Sequence, residues 1–439
     1  MSRAPFFRVR PGAVPQGSIA VPGDKSMTHR ALLLGALAEG ETLAVRPNRG
    51  ADCLATAAAL RRLGVLIQES AEGFLIEGMG GELREPEGAL DCGNSGTGAR
   101  LLVGLLAAQP FVSTIDGDAS LRRRPMGRIV GPLRAMGARI EGPEDGGRLP
   151  LTIRGGRLRG IVHRSPVASA QVKSAILLAG LRAGGRTTVV EPRLSRDHTE
   201  RMIAYLGGKV ERGALSASVE GGGALRGARL EIGGDPSSSA FFLAAGLLVP
   251  GGEVVARGIL DNPTRTAFLD VLERMGGRIE RTAVPTTGPE GRMDVRARAG
   301  PLRGTVIEGE EVPRLIDEIP VLAVAGALAE GELEVRDAAE LRVKESDRIR
   351  LIVSMLRSFG AEAAERPDGF TVRGRGGLRG ARVSSGGDHR IAMAAAVAGL
   401  AARGETIVEE TACTATSLPE FLRLAGELGL GGALAEEEA

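Results

Sequence analysis

Residues 272–280 read LERMGGRIE: the end of a helix-like stretch in methionine, a glycine, then a short β-prone run. The pattern decides the fold because it recurs, as LRRLGVLI (60–67), LRAMGARIE (133–141), IAYLGGKVE (203–211), LRSFGAEAAE (356–365) and LAGELGLGG (424–432). The central glycines, Gly64, Gly137, Gly207, Gly276, Gly360 and Gly429, are spaced 73, 70, 69, 84 and 69 residues apart. Glycine just past a helix closes it in the left-handed conformation at no steric cost. Six units of about 70 residues therefore fill the 439-residue chain, too long a period for a solenoid and suited to compact pseudo-symmetric domains.

Two further markers keep the same phase. GxLxG occurs at 156–160, 223–227, 300–304 and 376–380 and reads as a glycine turn between strands. An apolar helix, a turn and a β run follow one another in ALAEGETLAV (36–45), LRAGGRTTVV (181–190), LVPGGEVVAR (248–257), ALAEGELEVR (327–336) and LAARGETIVE (400–409). Each unit thus reads as strand, apolar helix, strand, amphipathic helix, strand, strand. Stretches such as ALLLGALA (31–38), ARLLVGLLAA (99–108) and IAMAAAVAGLAA (391–402) are apolar all round, which places them inside a core. The expectation is an α/β fold of two lobes with three units each.

Composition removes several classes of function. Basic and acidic residues number 56 and 54, so no basic field points to nucleic acid or a membrane surface. Ten phenylalanines, one tyrosine and no tryptophan are too few for base-stacking platforms. Cys53, Cys92 and Cys413 lie far apart and fit neither a disulfide framework nor a metal pattern, and Cys92 reads as a structural strand residue. The start MSRAPFFRVRPG lacks a signal-peptide core, and no apolar run reaches the roughly 18 residues of a membrane span. A cytoplasmic, soluble protein is expected, with the tail LAEEEA frayed.

Polar residues gather where the loops lead into the six apolar helices: VPGDKSMTHR (21–30), CGNSGTGAR (92–100), SAQVKS (169–174), GDPSSSA (234–240), RLIDEIP (314–320) and GGDHR (386–390). Helix starts offer unpaired N–H groups and a positive dipole end to anions. Ser, Asp and Asn also cap helices for their own sake. Scarce residues favour the first reading. Three of the four lysines, Lys25, Lys173 and Lys344, and three of the four histidines, His29, His198 and His389, stand at helix starts. The amphipathic helices have loaded entrances too, in LRRRPMGR (121–128), LSRDHTER (194–201), NPTRT (262–266) and LRVKESDRIR (341–350). Neither GxGxxG nor GxxxxGK[ST] is present, so the loops describe a site for phosphate and carboxylate ligands without nucleotide or metal.

These strings, collinear from 21 to 419, resemble the 5-enolpyruvylshikimate-3-phosphate synthase family of enolpyruvyl transferases. The resemblance implies a two-lobed inside-out α/β barrel of βαβαββ repeats. Residues 1–22 and 236–439 form one lobe and 23–235 the other, with the active site in the cleft between them. It implies phosphoenolpyruvate and shikimate 3-phosphate as substrates, no cofactor, and a monomer. Asp317 is then the base for the 5-hydroxyl, Glu345 exchanges the C3 proton, and Lys25 stabilises developing charge. Lys25, Ser26, Arg30, Ser169, Gln171, Arg196, Asp317 and Lys344 are expected on shikimate 3-phosphate. Lys25, Asn94, Gly96, Thr97, Arg124, Gln171, Arg348 and Arg390 are expected on phosphoenolpyruvate.

Ala170, Glu340 and Thr416 depart from the commonest pattern, which has serine, asparagine and lysine there, and Arg196 and Lys173 are expected to replace the lost phosphate contacts. Gly96, where alanine accompanies glyphosate tolerance in the family, implies a sensitive enzyme. Two rivals remain. A UDP-N-acetylglucosamine enolpyruvyl transferase would share the fold, but its members usually carry a reactive loop cysteine and lack DKSxxHR and KESDR. A non-catalytic anion-binding scaffold would be expected to have lost some of Lys25, Asp317, Glu345, Arg124, Arg348 and Arg390, all of which are kept here.

Overall fold

The computed structural model describes residues 4–374 and 377–438. All six repeat glycines adopt positive φ, between 78° and 118°, each just after an amphipathic helix. The repeat read from the sequence is therefore a repeat in space. It builds six four-stranded sheets of one topology. In the repeat that begins at Leu90–Asp91, this strand pairs parallel with Val112–Asp116 across the buried helix Gly96–Ala107. Leu151–Arg154 and Arg139–Glu141 then add antiparallel. A parallel pair needs such a crossover, and the apolar helix supplies it.

The chain divides into two compact units: Met1–Pro22, Gly233–Pro285 and Gly291–Ala439 form the first, Gly23–Ile232 and Thr286–Glu290 the second. Each contains three of the sheets and three of the buried helices. Repeats that straddle a crossing borrow their first strand from elsewhere in the chain. Gln16–Ile19 runs parallel to Glu253–Asp261, and Arg229–Glu231 runs parallel to Glu39–Val45. In the first unit the helices Pro236–Leu248, Ile319–Leu328 and His389–Ala401 pack on one another, and nearly all their side chains are buried. In the second, Gly96–Ala107 packs on both Lys25–Leu37 and Ala170–Gly180.

Three expectations change. The chain changes unit between 232 and 233 rather than between 235 and 236, and residues 286–290 join the second unit although they interrupt a hairpin of the first. The cause is local: Glu290 Oε1 lies 2.7 Å from His198 Nδ1 with both side chains fully buried, and Tyr205 Oη donates to the Thr287 carbonyl at 2.7 Å. The tail is no frayed end, since Leu434–Glu438 forms a strand antiparallel to Pro5–Val9, with Glu437 on Arg8 at 2.8 Å. The GxLxG segments are more than turns. Arg159, Arg226, Arg303 and Arg379 each make a one-residue parallel bridge, while Gly376 of the last copy lies outside the described residues.

Candidate active site

Five of the loop side chains are helix caps. Asp24, Ser95, Ser169, Asp235 and Asp388 each cap a buried helix by accepting from backbone N–H groups two or three residues on. Residues beside the caps carry the charge. In the second unit, Lys25 opens the helix Lys25–Leu37 and pairs with Asp52 at 2.9 Å. Ser26 is half-buried, and its carbonyl accepts from Arg30 Nη1 at 2.8 Å. Arg30 is 2% exposed, and it also donates to Thr199 Oγ1 and Ser174 Oγ, both at 2.7 Å. Burial pushes its pKa down to about 10.

A second group in this unit centres on Arg100. Its Nη1 donates to Gln171 Oε1 at 2.7 Å and to the Gly96 carbonyl at 3.3 Å, and its Nη2 donates to the Pro125 carbonyl at 2.9 Å. Gln171 Nε2 donates in turn to Thr97 Oγ1 at 2.8 Å. Arg124, 6% exposed, donates to Asn94, whose amide reaches Asp118 at 2.7 Å. Arg100, Gln171, Thr97 and Gly96 therefore form one hydrogen-bonded group, and Arg124, Asn94 and Asp118 form a second. Gly96 has no side chain, and a Cβ there would stand 2.9 Å from Arg100 Nη1 and 3.0 Å from Arg124 Nη1.

In the first unit one guanidinium gathers three carboxylates. Arg348 lies 3.0 Å from Asp317 Oδ1, 2.7 Å from Glu345 Oε2 and 2.9 Å from Asp388 Oδ2. Burial would lower its pKa, but Asp388, Glu345 and Asp317 together raise it above the ordinary arginine value. Lys344 Nζ is 3.9 Å from Asp317. Arg390 is different. It is 4% exposed, its guanidinium stands 6.0 Å over the Phe241 ring, and its Nε and Nη1 make no hydrogen bond among the described residues. Buried donors are normally paired, and a buried guanidinium with donors unpaired has the chemistry to take an anion.

Lys173 is the correction. Its side chain is 3% exposed and clamped between Glu191 and Glu200, each at 2.8 Å. A buried ammonium needs counter-charges, and these two leave it no role on a substrate phosphate. Arg196 is half-buried and engaged with neighbouring groups. His29 and His198 are structural, held by Thr56 Oγ1 at 2.9 Å and by Glu290. Asp52, Arg100 and Asp388 were missed. Arg100 and Asp388 stand inside quoted strings, whereas Asp52 had no motif around it.

Among the described residues no cluster of His, Cys, Asp and Glu suits a metal ion, and no helix is long and apolar enough to cross a membrane. Residues 9–424 match the EPSP synthase (3-phosphoshikimate 1-carboxyvinyltransferase) family. The 3-phosphoshikimate 1-carboxyvinyltransferase of Citrifermentans bemidjiense is 50% identical over 95% of this chain and 98% of its own. That of Desulforudis audaxviator is 51% identical over 97% and 99%. The EPSP synthase structure from Acinetobacter baumannii superposes with a TM-score of 0.88 at 41% identity, covering 99% of this chain and all of that one. The enolpyruvyl transferase NikO from Streptomyces tendae, at 18% identity and a TM-score of 0.78, shares the fold. The chain belongs to the EPSP synthase family.

Proposed function

We propose that this chain transfers the enolpyruvyl group of phosphoenolpyruvate to the 5-hydroxyl of shikimate 3-phosphate and releases phosphate. The observation that carries the reading is the Arg348 cluster, two candidate acid–base carboxylates held by one buried cation, beside a buried Arg390 with donors to spare. Family membership favours this reading over both rivals.

The step that forms the new C–O bond joins the 5-oxygen to C2 of phosphoenolpyruvate while C3 gains a proton. Asp317 accepts the hydroxyl proton, and Glu345 supplies the one at C3. The adduct then collapses: the C2–O bond to phosphate breaks, Glu345 takes a proton back from C3, and phosphate departs with the proton that Asp317 took from the hydroxyl. Lys25 and Arg124 offset the negative charge that moves onto the phosphate oxygens. Arg390, Asn94, Gly96, Thr97 and Gln171 hold phosphoenolpyruvate. Ser26, Arg30, Ser169, Arg196 and Lys344 hold shikimate 3-phosphate. The chain runs this reaction as a cytoplasmic monomer without metal or other cofactor.

The test is phosphate release from phosphoenolpyruvate in the presence of a chelator, with each acceptor offered in turn. Release that requires shikimate 3-phosphate is expected. Release with UDP-N-acetylglucosamine alone, or with neither acceptor, would overturn the proposal.

A further inference from the structure

We infer that Arg265 is a positioning residue for Asp317, acting through Glu318. The inference rests on the proposed function and adds to it a residue from the entrance NPTRT, which the reaction leaves without a role.

Arg265 is 1% exposed. Its Nη2 lies 3.1 Å from Asp235 Oδ1 and donates to Ser237 Oγ at 3.0 Å, while its Nη1 lies 3.4 Å from Glu318 Oε1. Ser237 Oγ donates to the same glutamate oxygen. Each carboxylate stands at the head of a buried helix. Asp235 caps Pro236–Leu248 and Glu318 is the N-cap residue of Ile319–Leu328. Arg265 therefore ties together the starts of two core helices of successive repeats.

Arg348 does the same one repeat later. It joins Asp317, just ahead of Ile319–Leu328, to Asp388, the cap of His389–Ala401. The two adjacent acids Asp317 and Glu318 are thus held by different arginines, Arg348 and Arg265. A turn of the 317–318 backbone that freed Glu318 would swing Asp317 off Arg348. A buried ion pair is often no more stabilising than apolar side chains of the same volume, so its value lies in orientation. A base displaced by about 1 Å costs up to about 100-fold in rate.

The test uses the full chain in six variants: Glu318→Gln, Arg265→Met, Arg265→Lys, Asp317→Ala, and Asp317→Ala combined with either Arg265→Met or Glu318→Gln. Folding is checked by circular dichroism and urea unfolding. The expected result is a fall in kcat on the order of 10- to 100-fold for Glu318→Gln and Arg265→Met, with the KM values for both substrates within about twofold. Arg265→Lys should recover part of the loss. In the Asp317→Ala background Arg265→Met should cost nothing further, because the two act as one. Wild-type kcat in either single variant, or an equal loss with and without Asp317, would overturn the inference. If Arg265→Met fails to fold, Glu318→Gln carries the same comparison. A readout that needs no turnover separates this inference from the proposed reaction: the carbon-13 titration of the Asp317 carboxyl, which faces Arg348 and Lys344. A midpoint unchanged by Glu318→Gln would overturn the positioning role even if the chain used another acceptor.

Discussion

Arg348 Nη1 stands 3.0 Å from Asp317 Oδ1, while Nη2 of the same guanidinium stands 2.7 Å from Glu345. Two acids from different helix entrances are thereby fixed in relation to one another by a side chain that is itself 1% exposed. The planar fork matters as much as the charge, because three carboxylates approach it from different sides.

Arg348→Lys should keep the charge and lose the fork. A single ammonium cannot serve Asp317, Glu345 and Asp388 together, so kcat/KM is expected to fall on the order of 100- to 1,000-fold. Arg348→Met should in addition lose about 3–5 kcal/mol of stability, since Asp388 is fully buried and would be left without this partner. Phosphate-release kinetics and urea midpoints measure the two effects. A lysine variant with wild-type turnover would show that charge alone suffices.

The nearest neighbours of a methyl group at residue 96 are the guanidinium ends of Arg100 and Arg124, at 2.9 and 3.0 Å, with Leu121 Cδ1 at 3.8 Å. Gly96→Ala should therefore fold normally and move both forks. Arg100 would carry Gln171 with it and Arg124 would carry Asn94. The expected result is a rise in the KM for phosphoenolpyruvate of about tenfold, or ~1.4 kcal/mol of binding. The KM for shikimate 3-phosphate should rise less. Glyphosate should inhibit the wild type in competition with phosphoenolpyruvate and the variant far less. An inhibition constant unchanged by the methyl would remove the steric explanation.

How much of this was legible follows from the range of the signals. The repeat glycines could be read because left-handed closure of a helix is a local property, and the buried helices because they are apolar on every side. Capping and anion binding use the same residue types at the same place, so which loop side chains serve as caps and which as charged groups could not be read from the sequence. Lys173 and Lys25 both sit beside a helix start; what separates them is that Glu191 and Glu200 close over the first. Those partners lie 18 and 27 positions downstream, with no spacing rule to connect them. The Glu290 strap escaped for the same reason, since its partner His198 is 92 residues away.

Lys173 and its two glutamates give a stability prediction with an internal control. Lys173→Met should cost about 3–5 kcal/mol by leaving buried carboxylates uncompensated. The triple variant Lys173→Met, Glu191→Gln, Glu200→Gln should recover most of it. Burial opposes the lysine charge, but Glu200 and Glu191 raise its pKa, so this stabilisation is present below the unfolded pKa and is lost as pH rises through the folded one. Neither variant should alter the KM for shikimate 3-phosphate selectively, whereas Arg196→Ala should raise it much more than that for phosphoenolpyruvate. Equal effects of Arg196→Ala on the two substrates would remove that residue from the phosphate site.

His29 lies fully buried in the helix Lys25–Leu37, with Nδ1 2.9 Å from Thr56 Oγ1. Burial holds its pKa well below the ordinary histidine value; the positive charges of Lys25 and Arg30 push the same way and Asp24 opposes them. The native ring is therefore neutral at pH values where the unfolded chain, with a histidine pKa of about 6.5, already binds a proton. Stability must fall as pH drops below about 6.5, by up to ~1.4 kcal/mol per pH unit from this residue, until the folded pKa is reached. His29→Gln keeps a polar group near Thr56 and removes the titration. Urea unfolding at pH 8, 7, 6 and 5 should show the wild type losing stability faster than the variant between pH 6 and 5, with the curves parallel above pH 7. Since the other three histidines are common to both proteins, curves that stay parallel down to pH 5 would mean that His29 takes up its proton in the folded state.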